Sequence, residues 1–168
     1  MLSCNFLRTK IMKISVTNNT VTTALDALAA RMKDMTRPMR AVAAVLEENV
    51  RRRFATQTDP EGKPWAPHAP ATVKSYPKQG NRRILDRYGD MLRSLNSQSD
   101  ATSATIGFSA VTRPGTAGRT AYAVYHEFGT KTMPARRMLF ADPERGQLSQ
   151  TDEQAILAII HQHFGASP

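Results

Sequence analysis

The sequence is poor in cysteine and in acidic residues, and it has no long apolar run. Its single cysteine, Cys4, excludes an internal disulfide framework and a cysteine-rich zinc site, which fits a reducing compartment. No stretch approaches the ~18–20 apolar residues that a membrane-spanning helix needs. The first dozen residues place their charges after their apolar residues, unlike a signal peptide. We therefore expect no membrane association.

The scarcity of acidic residues leaves a strongly basic chain. The sequence has 23 Lys and Arg residues but only 14 Asp and Glu residues, which gives a formal net charge of +9 with neutral histidines. This excess favours either DNA or the acidic faces of other proteins as partners, and charge alone does not choose between them. A length of 168 residues fits one domain. We predict a single domain over 1–168, with Met12 as an alternative start and 1–11 as a little-structured extension.

Three segments have the periodicity of amphipathic helices. Apolar residues spaced by three or four predict a first helix over Val21–Met35. A second helix, from about Pro38 to Ala55, has the longest apolar stripe, and Pro38 suits a first turn because its missing N–H has no partner there. The run from Ser149 to Asp152 is like a capping box and predicts the start of a C-terminal amphipathic helix.

Two further segments alternate apolar and polar residues, as strands with one buried face do. They are residues 11–17 and 101–109. Together these patterns predict an α+β fold, in which two N-terminal helices and a C-terminal amphipathic helix pack on a small antiparallel sheet. We expect the sheet to contain both strands and one or two segments between 119 and 141.

A long loop is predicted at about 57–83. Four prolines lie between Thr58 and Pro70 and end any helix, and loops of this length in compact domains are usually functional or ordered by a partner. The run from Asp59 to Gly62 has the residues of a tight turn. Trp65, the only tryptophan, is predicted either to fold back as a lid on the core or to face a neighbouring subunit.

The densest group of candidate residues combines aromatic rings, a His-Glu pair, two arginines, and a glycine and a proline that constrain the backbone. Tyr122, Tyr125 and Phe128 recur at a spacing of three, which on a helix puts the rings on one side. Gly129 is predicted to end that helix and Pro134 to direct the chain away from it. We predict a buried aromatic turn that offers arginines to a neighbour. Its members are Tyr122, Tyr125, His126, Glu127, Phe128, Gly129, Pro134, Arg136 and Arg137.

The His-Glu pair resembles part of the helix of zinc proteases, which needs a second histidine four residues after the first. That position holds Thr130, and His161 and His163 would point apart on a helix. We therefore expect no metal site, no cofactor and no catalytic residue. A hydrolase using His126 and Glu127 is the third and weakest hypothesis.

Without a catalytic role, both residues are given structural ones. His126 is predicted to be hydrogen-bonded beside the tyrosines, and Glu127 to pair with Arg136 or Arg137.

Arginine clusters carry the main alternative to a structural protein. One cluster ends the second predicted helix. It is either a solvated helix end, where the helix dipole favours cations, or a contact with an acidic partner or phosphate. The other lies in the long loop, and aromatic residues are interleaved with it. Together these features predict a basic DNA-binding protein of a mobile element, although no helix-turn-helix, zinc-finger or RNA-recognition signature accompanies them. The two clusters that supply the candidate contacts are Arg51, Arg52 and Arg53, and Arg82 and Arg83; arginines also cluster at 113–119 and 136–137.

Three motifs in a fixed order give a more specific resemblance. The first is Phe54 followed by Asp59-Pro60-Glu61-Gly62-Lys63-Pro64-Trp65-Ala66-Pro67. The second is Ile84-Leu85 followed by Gly89-Asp90-Met91-Leu92-Arg93-Ser94-Leu95. The third is Tyr122-Ala123, His126-Glu127-Phe128-Gly129-Thr130 and Met133-Pro134-Ala135-Arg136-Arg137-Met138-Leu139. From about Met12 to Phe164, the chain resembles the phage virion morphogenesis or tail-completion proteins, which include the G protein of Mu-like phages and the S protein of P2-like phages.

The resemblance implies a structural, non-enzymatic protein of a phage or prophage. It implies a homo-oligomeric ring, with a hexamer favoured, that completes or attaches the tail at the head–tail junction after assembly in the host cytoplasm. The implied partners are other neck, connector or tail proteins, and genomic DNA contacted without sequence readout. The long loop and the basic surface would then order against neighbouring subunits and acidic proteins.

Overall fold

The protein is described here by a computed structural model over residues 19–76, 82–109 and 122–165. These residues form six helices and one two-stranded antiparallel sheet, which confirms the predicted α+β class. None of these helices is both long enough and apolar enough to cross a membrane. In chain order the elements are α1 (Asn19–Lys33), α2 (Thr36–Thr56), α3 (Pro70–Ser75), α4 (Asp90–Arg93), β1 (Leu95–Ser99), β2 (Ala104–Phe108), α5 (Tyr122–Phe128) and α6 (Gln150–Gly165).

The long helix α2 is the centre of the fold. Its apolar stripe is buried, and the helix packs against both strands and against α6. It ends at Gln57, which adopts a left-handed φ of 61°. The Gln57 side-chain nitrogen Nε2 donates to the carbonyls of Phe54 at 2.9 Å and Ile84 at 3.2 Å, so the residue that ends the helix also fixes the returning chain.

The apolar core is small and joins distant parts of the sequence. Phe54 packs edge-on against Trp65, with ring centroids 5.3 Å apart. Trp65 is 5 % exposed, and its indole N–H donates to the Arg137 carbonyl at 2.9 Å, so it lies in the core, the first of its two predicted placements. The buried members of this cluster are Val50, Phe54, Trp65, Met91, Leu95 and Met138.

The sheet differs from the predicted one. β2 lies inside the predicted 101–109 strand, but its partner is β1, in a register that runs from Leu95 opposite Phe108 to Ser99 opposite Ala104. Apart from Leu95, β1 is polar, so it lacks the alternation that identifies a strand. Over 122–141 the structure has a helix and turns, so the strands predicted there are wrong. The predicted strand over 11–17 lies outside the described residues.

The predicted loop at 57–83 is also more ordered than expected. Its described part contains α3 and a tight turn, in which the Gly62 N–H donates to the Asp59 carbonyl at 3.0 Å. The Asp59 carboxylate accepts the amides of Glu61 at 2.9 Å and Lys63 at 2.8 Å, so the predicted turn is confirmed. Local hydrogen bonds of this kind order the turn.

Helix α1 leaves an apolar face uncovered in the single chain. Leu25, Leu28 and Met32 are 60 %, 41 % and 64 % exposed, and we call these three residues the α1 stripe. The helix meets α6 near its last turn, where Arg31 Nη1 donates to the Phe164 carbonyl at 3.1 Å. The His163 ring also contacts the Arg31 carbonyl at 3.2 Å.

Gly129 ends α5 as predicted, and its conformation gives a stability test. Gly129 has a φ of +74°, and an added Cβ would lie 2.8 Å from the Ala135 amide nitrogen. Gly146 is a matched control, because its φ is +65° but an added Cβ meets nothing within 4 Å. We expect Gly146→Ala to lower the free energy of unfolding by about 1 kcal/mol. Gly129→Ala should cost at least about 1 kcal/mol more, because the neighbouring backbone must move. Urea denaturation measures both, and equal losses would contradict the steric argument.

Candidate functional site

Helix α5 and the segment that follows it form the structural centre of the candidate site. After Gly129, a turn is closed by the Thr130 N–H donating to the Met133 carbonyl at 2.9 Å. The chain then passes the exposed Pro134 and returns under the helix, where the Arg136 N–H donates to the His126 carbonyl at 2.6 Å. The segment from Met138 to Phe140 therefore runs beside the buried face of α5.

Glu127 anchors this returning segment. It is 4 % exposed, and its carboxylate accepts three successive backbone amides. Met138 donates to Oε2 at 2.6 Å, Phe140 donates to Oε1 at 2.9 Å, and Leu139 lies 3.2 Å from both oxygens. Burial raises the pKa of Glu127, while the three amides and the charge of Arg53 oppose that rise.

The predicted pairing of Glu127 with Arg136 or Arg137 is wrong. Buried amides in an irregular segment have no helix or sheet partner and need another acceptor. Glu127 supplies that acceptor to the backbone, and its bonds go to the amides of residues 138–140.

A second buried carboxylate extends the anchor to α2 and α6. Asp152, 1 % exposed, forms an ion pair with Arg53, which is 7 % exposed. Asp152 also accepts the side-chain amide of Asn49 at 2.8 Å and the hydroxyl of Ser149 at 2.9 Å. Arg53 Nη1 donates to the Met138 carbonyl at 2.8 Å. Met138 is thus held by Glu127 through its N–H and by Arg53 through its C=O. We call Glu127, Arg53, Asp152, Asn49 and Ser149 the buried polar network.

The network corrects the predicted role of Arg53. The sequence places it in a helix-end cluster facing solvent or a partner, but it is buried and fully engaged inside the chain. Its neighbours do stay exposed. Arg51 pairs with Glu47 at 2.6 Å, and Arg52 donates to the Asn49 side-chain oxygen at 2.9 Å.

Arg136 is also committed to the fold, so the prediction that it faces a neighbour is wrong. Arg136 is 7 % exposed, and its guanidinium donates to the carbonyls of Ala66 at 2.8 Å and Pro67 at 2.9 Å. Burial lowers its pKa. These bonds hold the loop that carries Trp65. Arg137 is half-buried and donates to the Ala141 carbonyl.

The loop arginines differ from each other. Arg83 is exposed but donates to the carbonyls of Phe54 and Ala55, both at 2.7 Å, where a cation is favoured by the C-terminal dipole of α2. Arg82 is exposed. Several arginines of the two sequence clusters therefore serve the fold, and fewer are available to DNA than their number in the sequence indicates.

The outer face of α5 is apolar and exposed. Val124, Tyr125 and Phe128 are 47 %, 46 % and 53 % exposed, and we call them the α5 patch. Tyr122, by contrast, is half-buried against the core. The prediction of a buried aromatic turn is therefore wrong for Tyr125 and Phe128, because the inward placement of Glu127 turns both residues outward on a helix of 3.6 residues per turn.

His126 lies beside Tyr122 as predicted, but its predicted hydrogen bond is missing at one nitrogen. The two rings meet edge to face with centroids 6.3 Å apart. His126 Nδ1 is buried and has no hydrogen-bond partner. Burial, with a smaller effect from the charge of Arg136, lowers the pKa of His126 to about 4. The ring is therefore neutral at pH 7.

The described residues contain no group of three or more His, Cys, Asp or Glu side chains placed to hold a metal ion. Sequence reasoning missed Asn49 and Asp152 as partners in the network. The spacing of Ser149 and Asp152 identified the start of α6, and the Asp152 N–H does donate to the Ser149 hydroxyl at 3.2 Å. Nothing in that local pattern shows that the Asp152 carboxylate binds α2.

A family model described as the phage virion morphogenesis family matches residues 16–165, which include every described residue. Searches of curated proteins and of solved structures found no match.

Replacement of Glu127 tests the anchor. Glu127→Gln keeps the shape of the side chain but replaces one acceptor oxygen with an NH₂ group that faces backbone donors. We expect the free energy of unfolding to fall by at least about 2 kcal/mol, because buried amides lose their acceptor. Glu48→Gln on the exposed face of α2 is the control and should change stability by less than about 0.5 kcal/mol. A similar small loss for Glu127→Gln in urea denaturation would contradict the anchoring role.

His126 gives the fold a pH dependence. Its pKa is about 4 in the folded chain and 6.5 when unperturbed, so the unfolded chain binds more protons between these values. The contribution of His126 to stability is complete above pH 6.5 and is lost as the pH falls towards 4. His126→Phe should reduce the slope of unfolding free energy against pH in this window, whereas His161→Phe, at an exposed position, should leave it unchanged. Identical slopes for the wild type and His126→Phe would disprove the assignment.

Proposed function

The chain belongs to the phage virion morphogenesis family, and we propose that it is a ring-forming subunit of the head–tail junction that completes or attaches the tail. Family membership gives it a structural role in virion assembly. The position at the neck, the ring and its hexameric state are parts of the proposal. The observation that carries the proposal is the presence of two separate exposed apolar surfaces on one chain, the α1 stripe and the α5 patch.

Two different surfaces are what a ring requires. A head-to-tail contact joins one surface of a subunit to another surface of the next, and it closes into a ring when the rotation per subunit allows. We propose that the α1 stripe of one copy packs against the α5 patch of the next. An interface built from one self-complementary surface would give only dimers.

The charge of the chain supports apolar contacts between copies. Each copy carries a formal charge of +9, and like charges repel over about 8 Å at physiological salt. Contact between copies therefore depends on burying apolar area, which contributes roughly 25 cal/mol per Å². The basic remainder of the surface stays available for acidic proteins of the neck and tail, where charge complementarity directs docking.

The buried polar network supports the proposal through rigidity. The inner face of α5 is fixed by the three backbone amides that donate to Glu127, so the patch on its outer face is held in one orientation before any partner arrives. A surface ordered in advance loses less conformational entropy on binding than a mobile one.

Variants with one surface removed test the ring. We expect the wild-type protein to form a closed oligomer in native mass spectrometry and a ring in negative-stain images. Phe128→Ser, which disrupts the α5 patch, and the double variant Leu25→Ser/Met32→Ser, which disrupts the α1 stripe, should each be monomeric with unchanged thermal stability. Tyr88→Ser removes an aromatic residue that is 57 % exposed outside both surfaces, and this control should still assemble.

Mixing the variants tests which surfaces meet. Phe128→Ser retains an intact α1 stripe, and Leu25→Ser/Met32→Ser retains an intact α5 patch. An equimolar mixture should therefore form heterodimers joined by one intact contact, which cannot extend into a ring. A monomeric wild type in the presence of tails or connectors would contradict the ring, and a mixture that stays monomeric would contradict the pairing of these two surfaces.

A further inference from the structure

A cleft of about 850 Å³ lies between the end of α2 and the start of α6. Its other walls are the 58–62 turn and residues Arg137, Ala141 and Asp142. Thr56 and Thr151 also line the cleft. A volume in this range is typical of ligand sites, but the polar character of this lining suits a polar occupant rather than an apolar one.

The carboxylates of the cleft are already neutralised or hydrogen-bonded within the chain. Glu61 pairs with Lys63 at 2.7 Å, and Asp59 accepts two backbone amides. Asp142 accepts the amides of Glu144 at 3.1 Å and Arg145 at 3.4 Å, and lies 3.7 Å from the Arg145 guanidinium. Glu61 and Asp142 each contact a cation, whereas Asp59 is bonded only to neutral amides and keeps its negative charge.

The two outer arginines of the cleft are bonded to neutral groups. Arg52 donates to the amide oxygen of Asn49, and Arg137 donates to the Ala141 carbonyl. Both guanidinium groups are thus positioned by the fold while their charge is not balanced by these acceptors. The N-terminus of α6, a helix of 16 residues, adds a partial positive charge at the same wall.

We propose that this cleft binds an acidic segment of another protein, with carboxylates placed at Arg52 and Arg137. A guanidinium and a carboxylate form charge-assisted hydrogen bonds, often in pairs. A peptide can space its carboxylates to meet the two arginines and avoid the acids of the wall. Duplex DNA carries a charge every ~1.7 Å along its axis and would bring phosphates against Asp59, Glu61 and Asp142.

The cleft is separate from the proposed contact between copies. Helix α1 meets α6 near Phe164, whereas the cleft lies at Thr151, about 20 Å away along α6 at 1.5 Å per residue. The cleft proposal therefore does not depend on a ring, and either proposal can fail without the other.

Titration of the full chain with a labelled eight-residue Glu- and Asp-rich peptide tests the cleft. Fluorescence anisotropy should show binding that weakens about tenfold or more for the matched Gln- and Asn-containing peptide, as expected when a charged hydrogen-bonding group is lost. Arg52→Gln and Arg137→Gln should each weaken binding of the acidic peptide about tenfold. Arg40→Gln removes the same charge from an exposed site on α2, three turns from Arg52, and should have little effect.

Chemical shifts locate the bound peptide independently of the variants. The backbone amide signals of Gly62, Gln147 and Thr151 should move on titration, and those of Val124 and Phe128 should not. The proposal would be overturned if the wild-type protein did not bind the peptide, or if Arg40→Gln weakened binding as much as the cleft variants do. Tighter binding of a short DNA duplex at the same arginines would also overturn it. Circular dichroism verifies that each variant is folded. Arg137→Lys should bind the acidic peptide more tightly than Arg137→Gln does, because lysine keeps the positive charge.

Discussion

The interaction on which the described structure most depends is the acceptance of three consecutive backbone amides by the Glu127 carboxylate. Residues 138–140 lie outside any helix or strand, so their N–H groups have no regular partner. A buried amide without an acceptor costs about 1–3 kcal/mol, and three of them would offset much of the stability of a small domain. One side chain removes that cost, and Met138 can then be completely buried at the centre of the core.

Burying a carboxylate is itself unfavourable, and the rest of the network makes it tolerable. The rise in the pKa of Glu127 reflects the loss of water, and the amides and the charge of Arg53 oppose it. Arg53 in turn is neutralised by Asp152, which also accepts hydrogen bonds from Asn49 and Ser149. Each charged group of the network thus has partners within the chain: Arg53 and Asp152 form an ion pair, and Glu127 accepts backbone amides. Removing one partner would leave another buried and unpaired, so these residues are expected to act as a unit.

What the sequence predicts well is local. The stripe of α2, the capping serine of α6, the glycine after α5 and the turn at Asp59 all depend on residues close together in the chain, and the structure contains each of them. Predictions that depend on distant contacts were less successful. The partner of Glu127 is an irregular segment that returns beneath α5, and no periodicity encodes its path. β1 was missed because a polar strand is held by its ladder to β2 and by its packing on α2, neither of which its own residues reveal.

The burial of Glu127 also explains why the α5 patch is exposed. On a helix of two turns, the side that holds Glu127 and His126 fixes the direction of every other residue, and Val124, Tyr125 and Phe128 are left on the outer side. The carboxylate therefore does two things through one geometry: it satisfies the returning backbone, and it orients three apolar side chains towards solvent. Exposed apolar groups that cluster usually mark a contact, which is the basis of the role proposed for the α5 patch. The interaction that stabilises the chain thus also fixes the direction of its exposed apolar face.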